Sequence, residues 1–429
     1  MPGPFSVAED PGDFHIYNVH HGFPEGLVRG YRTGFLKDMD YNNLCQCESL
    51  EDVKLNLQET DYDQFLSQEN KVTPAALQER ATKKLVVEFN FLKAQAQEPL
   101  STFLEYITYE YMIENIMMLL KGTLSGRDVN ELIEQCHPMG LFKDSTMRLI
   151  PAFEASPKGY ADLYQTVLVD TPIGPYFSQF LEQQQERLTN AAQVRDILEE
   201  VEIEIIKNSL MKLYLEDFHR FCKSVGGDTS TVMCELLEAR ADRGAINITL
   251  NSFGGPLNEP SMRSTDRRRL YPAIGTLYPE ATNLFQEVGD ESQLAAVLDM
   301  YPVYRGIWAV HQNEAYGDKS IDDAFFERDV DMLELAFQGQ MHFGPFYAYV
   351  KLKEQVRIIL SVVGTVPKEA HSSDTRVAFG VEMPVDAVST ESALNVHPTL
   401  LPYSADKVFS LVVTVASLPS VSKLFWGWR

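Results

Sequence analysis

Four charged residues on one predicted helix are spaced so that none can form an ion pair along that helix. They are Glu235, Glu238, Asp242 and Arg243, and no opposite charge lies three or four residues from any of them, the spacing at which helical side chains meet. Charged side chains in such positions act only through groups on other elements. We therefore expect their partners elsewhere in the fold or on another protein.

The cysteines and histidines offer few arrangements that suit a metal. Cys45 and Cys47 form a C-x-C pair, which lacks the paired spacing of a zinc site, and we expect reduced thiols there. Adjacent His20 and His21 are a poor metal geometry on regular structure and are expected at the exposed surface. His137 precedes a proline that stops a helix, so we expect it to cap or pack at that end. We predict no metal and no cofactor.

The sequence lacks the common motifs of nucleotide-binding and hydrolytic enzymes. It has no G-x-x-x-x-G-K-[ST] phosphate loop, no H-E-x-x-H and no G-x-S-x-G. His219 and His342 are expected to pack among aromatic residues on helices rather than to act as bases. The aromatic stretches 106–111 and 343–349 are expected to lie in the core. We predict that the chain neither binds nor hydrolyses ATP.

The element that positions the four charges is predicted to be a helical hairpin over residues 202–254. In its first half, apolar residues recur every three or four positions, as on the buried face of a helix. Gly226 and Gly227 are expected to end that helix, because glycine tolerates the left-handed conformation of a helix C-terminus. Asp228 and Thr229 then offer side-chain oxygens to cap a second helix.

Two further stretches repeat this plan of two helical segments separated by a break. They are residues 85–93 with a break at 98–99 and a helical pattern from 101, and residues 325–343 with a break at 344–345. Their similar layout indicates a degenerate internal threefold repeat of roughly 120 residues, the size of one domain. We therefore predict a protein dominated by helix, with almost no sheet.

Several long motifs, in the same order, resemble a known family. They are GFPEGLVRG at 22–30, QETDYDQFL at 58–66, CHPMGLF at 136–142, LYQTVLVDTPIGPYF at 163–177, LEARADRGAINITLNSFGG at 237–255 and HFGPFYAYVKLKEQ at 342–355. These motifs are similar to those of subunit d of the vacuolar-type proton-pumping ATPase, over residues 14–355. The resemblance implies an all-α, funnel-shaped bundle of three similar helical units, the fold shared with the archaeal-type C protein of the related ATPases.

The same resemblance implies a function, partners and a location. It implies a non-catalytic rotor subunit that couples the central stalk to the proteolipid c-ring for ATP-driven proton transport and compartment acidification. The implied partners are the c-ring, stalk subunits D and F, and subunit a as a further contact, at the cytosolic face of vacuolar and endosomal membranes. The other class of function left open is an independent helical scaffold or enzyme, with a site assembled from scattered residues.

Three of the four charges lie within the LEARADRGAIN motif of this family. Glu238, Asp242 and Arg243 are therefore candidates either for ties between the helical units inside the funnel or for contacts with the stalk. Ties inside the protein are the favoured interpretation, because charges in repeated helices often pair across units.

Composition limits the partners further. The formal net charge of −24, with 45% hydrophobic residues, predicts a globular protein that is repelled by nucleic acid and by anionic lipid. The basic run SMRSTDRRRL at residues 261–270 is either a solvated helix start, the favoured interpretation, or a docking point for an acidic partner or headgroup. No apolar stretch of about 20 residues occurs, so membrane association is expected to run through another protein.

We predict three parts along the chain. Residues 1–22 form an N-terminal strap that is ordered only in its last part, residues 23–355 form the helical body with three pseudo-repeats, and residues 356–429 form a divergent tail. Helices are expected from Glu25 and over residues 41–57, the second with Asp40 or Ser49 as its cap. The tail has neither helical periodicity nor a family match beyond Gln355. We expect that residues 361–429 are not integral to the fold, that part of the third unit's apolar face stays uncovered, and that this form assembles poorly with the pump.

Overall fold

The regular elements of this protein are helices. A computed structural model describes residues 14–47, 49–62, 73–142, 144–150, 168, 171–188, 200–312 and 321–363. Within these ranges no strand occurs, so the prediction of an all-α fold is confirmed. No helix in the same ranges is long and apolar enough to cross a membrane. The predicted funnel of three units stays a prediction.

The helices are numbered here in chain order. They are α1 (Phe14–Arg32), α2 (Asp38–Cys45), α3 (Leu50–Leu57), α4 (Pro74–Gln95), α5 (Leu100–Leu124), α6 (Val129–Gln135), α7 (Asp144–Leu149), α8 (Gly174–Leu188), α9 (Glu200–Val225), α10 (Gly227–Ser252), α11 (Pro260–Met262), α12 (Arg268–Leu270), α13 (Glu280–Phe285), α14 (Glu291–Leu298), α15 (Pro302–Gln312), α16 (Ile321–Leu335) and α17 (Gly344–Val363). Two 3-10 turns, Pro138–Gly140 and Pro256–Asn258, follow α6 and α10, and a π-helical turn, Arg263–Arg267, joins α11 to α12.

The chain divides into two compact units, which are described separately. The first unit consists of Met1–Glu25, Gln95–Ala309 and Ala336–Tyr347, and the second of Gly26–Ala94, Val310–Leu335 and Ala348–Arg429. The predicted strap, body of three repeats and tail stay predictions.

The predicted hairpin over residues 202–254 is present in the first unit, where α9 and α10 form it. The two helices pack on each other, and α9 also packs against α5 and α8. The chain reverses at Gly226, where φ is 77°. The predicted capping by Asp228 and Thr229 is wrong, because the N-cap position of α10 is Gly226 itself. Thr229 is buried instead, and its hydroxyl accepts a hydrogen bond from the backbone amide of Phe343 at 3.1 Å.

Aromatic rings fill the core of the first unit. Phe218 of α9 stacks on Tyr106 of α5 with centroids 5.1 Å apart and an interplanar angle of 3°. Phe103 lies between them and the segment before α17, 5.3 Å from Phe218 and 5.4 Å from Phe343. Such pairs add roughly 0.5–1.5 kcal/mol each beyond their burial. The rings therefore hold α5, α9 and the residues before α17 together. The prediction of a core position is confirmed for residues 343–349, which are all buried, whereas in the stretch 106–111 Tyr111 is buried and Tyr106 and Tyr109 are half-buried.

Helix boundaries near the N-terminus differ from the predicted ones. Helix α1 begins at Phe14, well before the expected start at Glu25, and so includes part of the predicted strap. The single helix expected over 41–57 is two helices, α2 and α3. Ser49 separates them because its hydroxyl caps α3 by accepting from the amide of Asp52 at 3.2 Å.

The third predicted helix pair also differs at its break. Helix α16 ends at Leu335, so the break precedes Gly344 and Pro345 instead of falling on them. These two residues begin α17, in agreement with the preference of proline for the first turn of a helix. Helix α17 continues to Val363, past the point where the tail was expected to leave the fold. The expectations for the remainder of the tail fall on residues 364–429, which lie outside the described residues.

We predict that Gly226→Ala lowers the free energy of unfolding by about 1–3 kcal/mol, because its backbone conformation is open essentially only to glycine. Gly244→Ala is the matched control, since a Cβ at Gly244, inside α10, meets nothing within 4 Å. It should raise the free energy of unfolding by about 0.5–1 kcal/mol through better helix propensity. Urea unfolding of both variants measures the two values, and equal effects would contradict this account of the hairpin turn.

Candidate functional site

Asp242 is the most deeply buried of the predicted site residues, with 1% of its surface exposed. Its Oδ2 accepts hydrogen bonds from the amide of Thr276 at 2.9 Å and from the hydroxyl of Tyr304 at 2.6 Å, and its Oδ1 accepts from the amide of Leu277 at 3.0 Å. Three donors offset the cost of removing this carboxylate from water. Asp242 therefore ties α10 to the loop before α13 and to α15, all within the first unit.

The approach of that loop to Asp242 depends on Gly275. Its φ is 107°, a conformation that side chains rarely adopt. A Cβ at this position would overlap the carboxylate of Asp242. Glycine is thus required both by the backbone angle and by the space.

The other two predicted site residues also lie on α10. Oε1 of Glu238 is 2.9 Å from Nε2 of His219 on α9, so this pair bridges the two helices of the hairpin. The Glu238 side chain is 39% exposed, which makes the contribution of the pair to stability small. Arg243 is half-buried and is also engaged by neighbouring groups. Any role of Glu238, Asp242 and Arg243 toward a partner protein stays a prediction.

Sequence reasoning missed an ion pair next to these residues, between the half-buried Arg240 and the buried Glu110. The guanidinium of Arg240 pairs with the carboxylate of Glu110 on α5 and donates to the hydroxyl of Tyr347 at 3.1 Å. Burial alone would lower the pKa of Arg240, but the charge of Glu110 raises it well above its ordinary value. The available signal was that Glu110 is a charged residue within an aromatic stretch expected in the core. Because its partner lies on α10, the periodicity of neither helix could identify the pair.

A third polar tie involves Asp217 of α9. Its Oδ2 accepts hydrogen bonds from the hydroxyls of Tyr106 at 3.0 Å and Tyr176 at 2.9 Å. Burial, and then the charge of Asp217, raise the pKa of both phenols. The two tyrosines therefore stay neutral donors that attach α5 and α8 to α9.

His137 caps and packs as the sequence predicted. Its Nδ1 accepts from the amide of Met139 at 3.3 Å at the start of the 3-10 turn, and its ring stacks on Tyr111 with centroids 4.4 Å apart. The side chain of Asn115 exchanges two hydrogen bonds with the backbone of His137, at 2.9 and 2.8 Å. The CHPMGLF motif is thereby fixed to α5.

The expectation that both neighbouring histidines of α1 are exposed is wrong for one of them. His20 is exposed, but His21 is buried, with its ring 5.2 Å from those of Tyr17 and Phe343. Burial, assisted by the charge of His20, lowers the pKa of His21 to about 4, so it packs as a neutral ring. His342 is buried as expected, although it precedes α17 rather than lying on a helix.

Four of the five cysteines have described side chains, and these are free thiols. Cys47, Cys136, Cys222 and Cys234 are unpaired, and burial raises the pKa of each, that of Cys136 to about 12. In the part of the chain that the structure describes, no group of three or more His, Cys, Asp or Glu side chains could hold a metal ion.

The second unit contains its own buried polar cluster, centred on Lys353 of α17. The ammonium donates to the hydroxyl of Tyr62 at 3.1 Å and lies 3.8 Å from Glu88 and 3.9 Å from Asp61. Lys84 of α4 also contacts Asp61 at 2.9 Å and Glu88 at 3.2 Å. Burial lowers the pKa of Lys353 to about 8, against the opposing charge of Glu88. The cluster ties α4 and the residues after α3 to α17.

The fold and the buried polar contacts described above agree with one family of proteins. The described chain is an all-α body in which buried charges join helices distant in sequence. The family model of the ATP synthase (C/AC39) subunit matches residues 24–361. The chain belongs to this family, and the match continues slightly past Gln355, where the resemblance was expected to stop.

Three relatives of this chain are named as the same protein, subunit d of the V-type proton ATPase. The chain is 42% identical to V-type proton ATPase subunit d of Dictyostelium discoideum, over 80% of this chain and 90% of the relative. It is 44% identical to the probable V-type proton ATPase subunit d of Oryza sativa (79% and 90% covered) and 38% identical to V-type proton ATPase subunit d of Saccharomyces cerevisiae (79% and 91% covered). The resemblance found in the motifs is confirmed.

We predict that Asp242→Asn lowers the free energy of unfolding by about 3 kcal/mol, because an amide nitrogen then faces buried donors that need an acceptor. Glu238→Gln is the control on the same helix, and its half-exposed pair should cost less than about 1 kcal/mol. Denaturant unfolding of both variants gives the comparison. If Asp242→Asn were as mild as Glu238→Gln, Asp242 would not be the tie described here.

The buried position of Lys353 predicts how the free energy of unfolding changes with pH. Its folded pKa of about 8 lies below the unfolded value of about 10.4. Between these values the unfolded chain binds the proton that the folded chain has lost, so this residue makes the free energy of unfolding rise with pH. Relative to Lys353→Met, the native chain should gain on the order of 1–2 kcal/mol between about pH 7.5 and 9.5.

The test is denaturant unfolding of both chains across that pH range. Alkaline titration of the cysteines and of tyrosines remote from the cluster is common to both chains and cancels in the difference. A difference that stays constant, or that falls with pH, would contradict the position of Lys353 described above.

Proposed function

We propose that this chain is a non-catalytic central-rotor subunit of a V-type proton-transporting ATPase. In this role it couples the central stalk to the proteolipid c-ring during ATP-driven proton transport and compartment acidification. Support comes from its family and from the subunit d name of its relatives. The structural observation that carries the proposal is the set of buried polar ties within the first unit, centred on Asp242.

A subunit that transmits torque needs helices that do not slide under load. The hydrophobic effect that joins apolar helix faces is not directional, whereas a buried charge that loses its partner costs about 3–5 kcal/mol. Asp242 and the pair of Arg240 and Glu110 place such penalties on any relative movement of α5, α10 and α15. These ties support the proposal, because a coupling element requires helices that keep their relative positions.

The proposed partners are the c-ring, stalk subunits D and F, and subunit a as a further contact. The proposed location is the cytosolic face of vacuolar or endosomal membranes, where the chain is held through the complex. The net charge of −24 supports attachment through protein rather than directly to anionic lipid, because like charges repel.

The second candidate, an independent helical scaffold or enzyme, receives little support from the described residues. His137 is a cap, His21 is a neutral packed ring, and His219 pairs with a carboxylate across the hairpin. The carboxylates of Asp217 and Asp242 are occupied by protein donors. These side chains are used to hold helices together.

The test is depletion of this chain from its own cells, followed by assay of isolated acidic-compartment membranes. Proton pumping driven by ATP should fall to background and return when the full chain is re-expressed. The purified chain alone should show neither ATP binding by calorimetry nor ATP turnover. Unchanged pumping after depletion, or turnover by the pure chain that one substitution in it abolishes, would contradict the proposed function.

A further inference from the structure

Three consecutive arginines in the basic run differ sharply in exposure. Arg267 is fully buried, whereas Arg268 and Arg269 are exposed. The run as a whole is therefore not the solvated helix start that the sequence favoured. Its exposed members, Arg268 and Arg269, are called the arginine pair below.

Arg267 anchors the turn that carries the arginine pair. Its Nη1 donates to Oγ of Ser252 at 2.8 Å and to Oδ1 of Asn258 at 3.3 Å, and its Nη2 donates to the carbonyl oxygens of Phe285 and, at 2.7 Å, Val288. These acceptors are uncharged and come from α10, from the 3-10 turn after it and from α13 and the residue stretch that follows. The π-helical turn and α12 are thus pinned to the interior of the first unit.

The backbone of the arginine pair is also held from the side of α9. The ammonium of Lys212 donates to the carbonyl oxygen of Arg269 at 2.8 Å, and α9 packs against α12. Farther along the same segment, the amide of Ala273 donates to Glu216 of α9 at 2.7 Å. The pair therefore projects from a fixed backbone, which reduces the conformational entropy lost when its side chains bind.

The two guanidinium groups themselves are unused. In the described part of the chain, neither side chain makes a hydrogen bond or an ion pair. This is notable in a chain with 61 acidic and 37 basic residues, where a carboxylate is easily supplied. Nearby Glu216 accepts from a backbone amide, and the guanidinium of Arg263 is turned to the carbonyl oxygens of Asn258 and Glu287. Two adjacent positive charges are left facing solvent.

We infer that the arginine pair is a docking site for an acidic segment of a neighbouring protein subunit, bound through its carboxylates. This inference rests on the proposed function, since it assigns one surface by which the chain joins its complex. Arginine suits this occupant because its planar guanidinium binds a carboxylate with two parallel hydrogen bonds.

The net charge of the chain favours a protein segment over a lipid surface as the occupant of this docking site. The net charge of −24 makes the approach of an extended anionic bilayer unfavourable, because like charges repel. A single acidic segment meets the pair at close range, and the rest of the body is screened beyond about 8–10 Å at physiological salt.

The experiment compares the native full chain with R268E/R269E for binding to pump complex from which this subunit has been removed. At about 0.1 M salt the reversal should weaken binding ~10-fold or more, and the difference should shrink at about 1 M salt as charges are screened. R305E is the control for one charge reversal elsewhere in the same unit, because Arg305 is 57% exposed and lies 3.9 Å from the exposed Asp299. It changes the net charge by half as much as R268E/R269E, and its binding should stay within about twofold of native. Thermal unfolding midpoints of all three chains establish that the variants are folded.

A second variant identifies the occupant directly. R268K/R269K keeps both charges and supplies amines that a zero-length carbodiimide couples to carboxylates in contact with them. A coupled peptide from another subunit of the complex is the expected product. A coupled peptide from this chain itself, or pair-dependent binding to vesicles of anionic phospholipid in place of the complex, would overturn the inference.

The outcomes separate this inference from the function on which it rests. If the native chain binds the complex and R268E/R269E binds equally well, the docking site is wrong and the proposed function stands. If the native chain does not bind the complex at all, the proposed function fails, and the docking site fails with it.

Discussion

The buried carboxylate of Asp242 is the constraint on which much of the first unit depends. A charge with 1% exposure is stable only if its hydrogen bonds are all present, since an uncompensated one costs several kcal/mol. Its donors come from residues 34, 35 and 62 positions away, so the loop before α13 and helix α15 must both be in place. Partial arrangements are penalised, and the three segments therefore behave as one element.

Other polar side chains also join helices that are distant in sequence, through different kinds of contact. Glu110 and Arg240 join α5 to α10 through opposite charges, and Asp217 joins α5 and α8 to α9 by accepting from two phenols. Arg267 also joins separate segments of the chain, and the acceptors of its hydrogen bonds are uncharged. Apolar packing supplies most of the stability of such helices, but the hydrophobic effect behind it is not directional. The polar ties add a specific register, which is the property that a force-transmitting subunit needs.

What the sequence could predict follows from the range of each interaction. The hairpin of α9 and α10 was predictable because helical periodicity and the reversal at Gly226 are local features. The lack of partners for Asp242 along its own helix correctly indicated tertiary partners, but no local pattern could identify Tyr304. Thr229 resembles a cap in sequence, yet its hydroxyl serves the amide of Phe343. His21 is buried for a similar reason, since the rings that cover it include one more than three hundred residues away.

The charged residues are divided between the interior and the surface of the protein. Arg267 and Lys353 are buried, and Arg240 lies against a buried glutamate, so part of the positive charge is in the interior. Among the described residues, five acidic side chains are buried as well: Glu25, Glu110, Asp242, Asp266 and Asp323. The interior therefore takes up charge of both signs, and the surface keeps the negative sign of the whole chain. A field of this sign steers basic surfaces toward the body and repels anionic ones. Within it, the fixed pair of exposed arginines marks a point where an acidic group is attracted, and in the proposed docking this contrast of sign orients the partner as well as holding it.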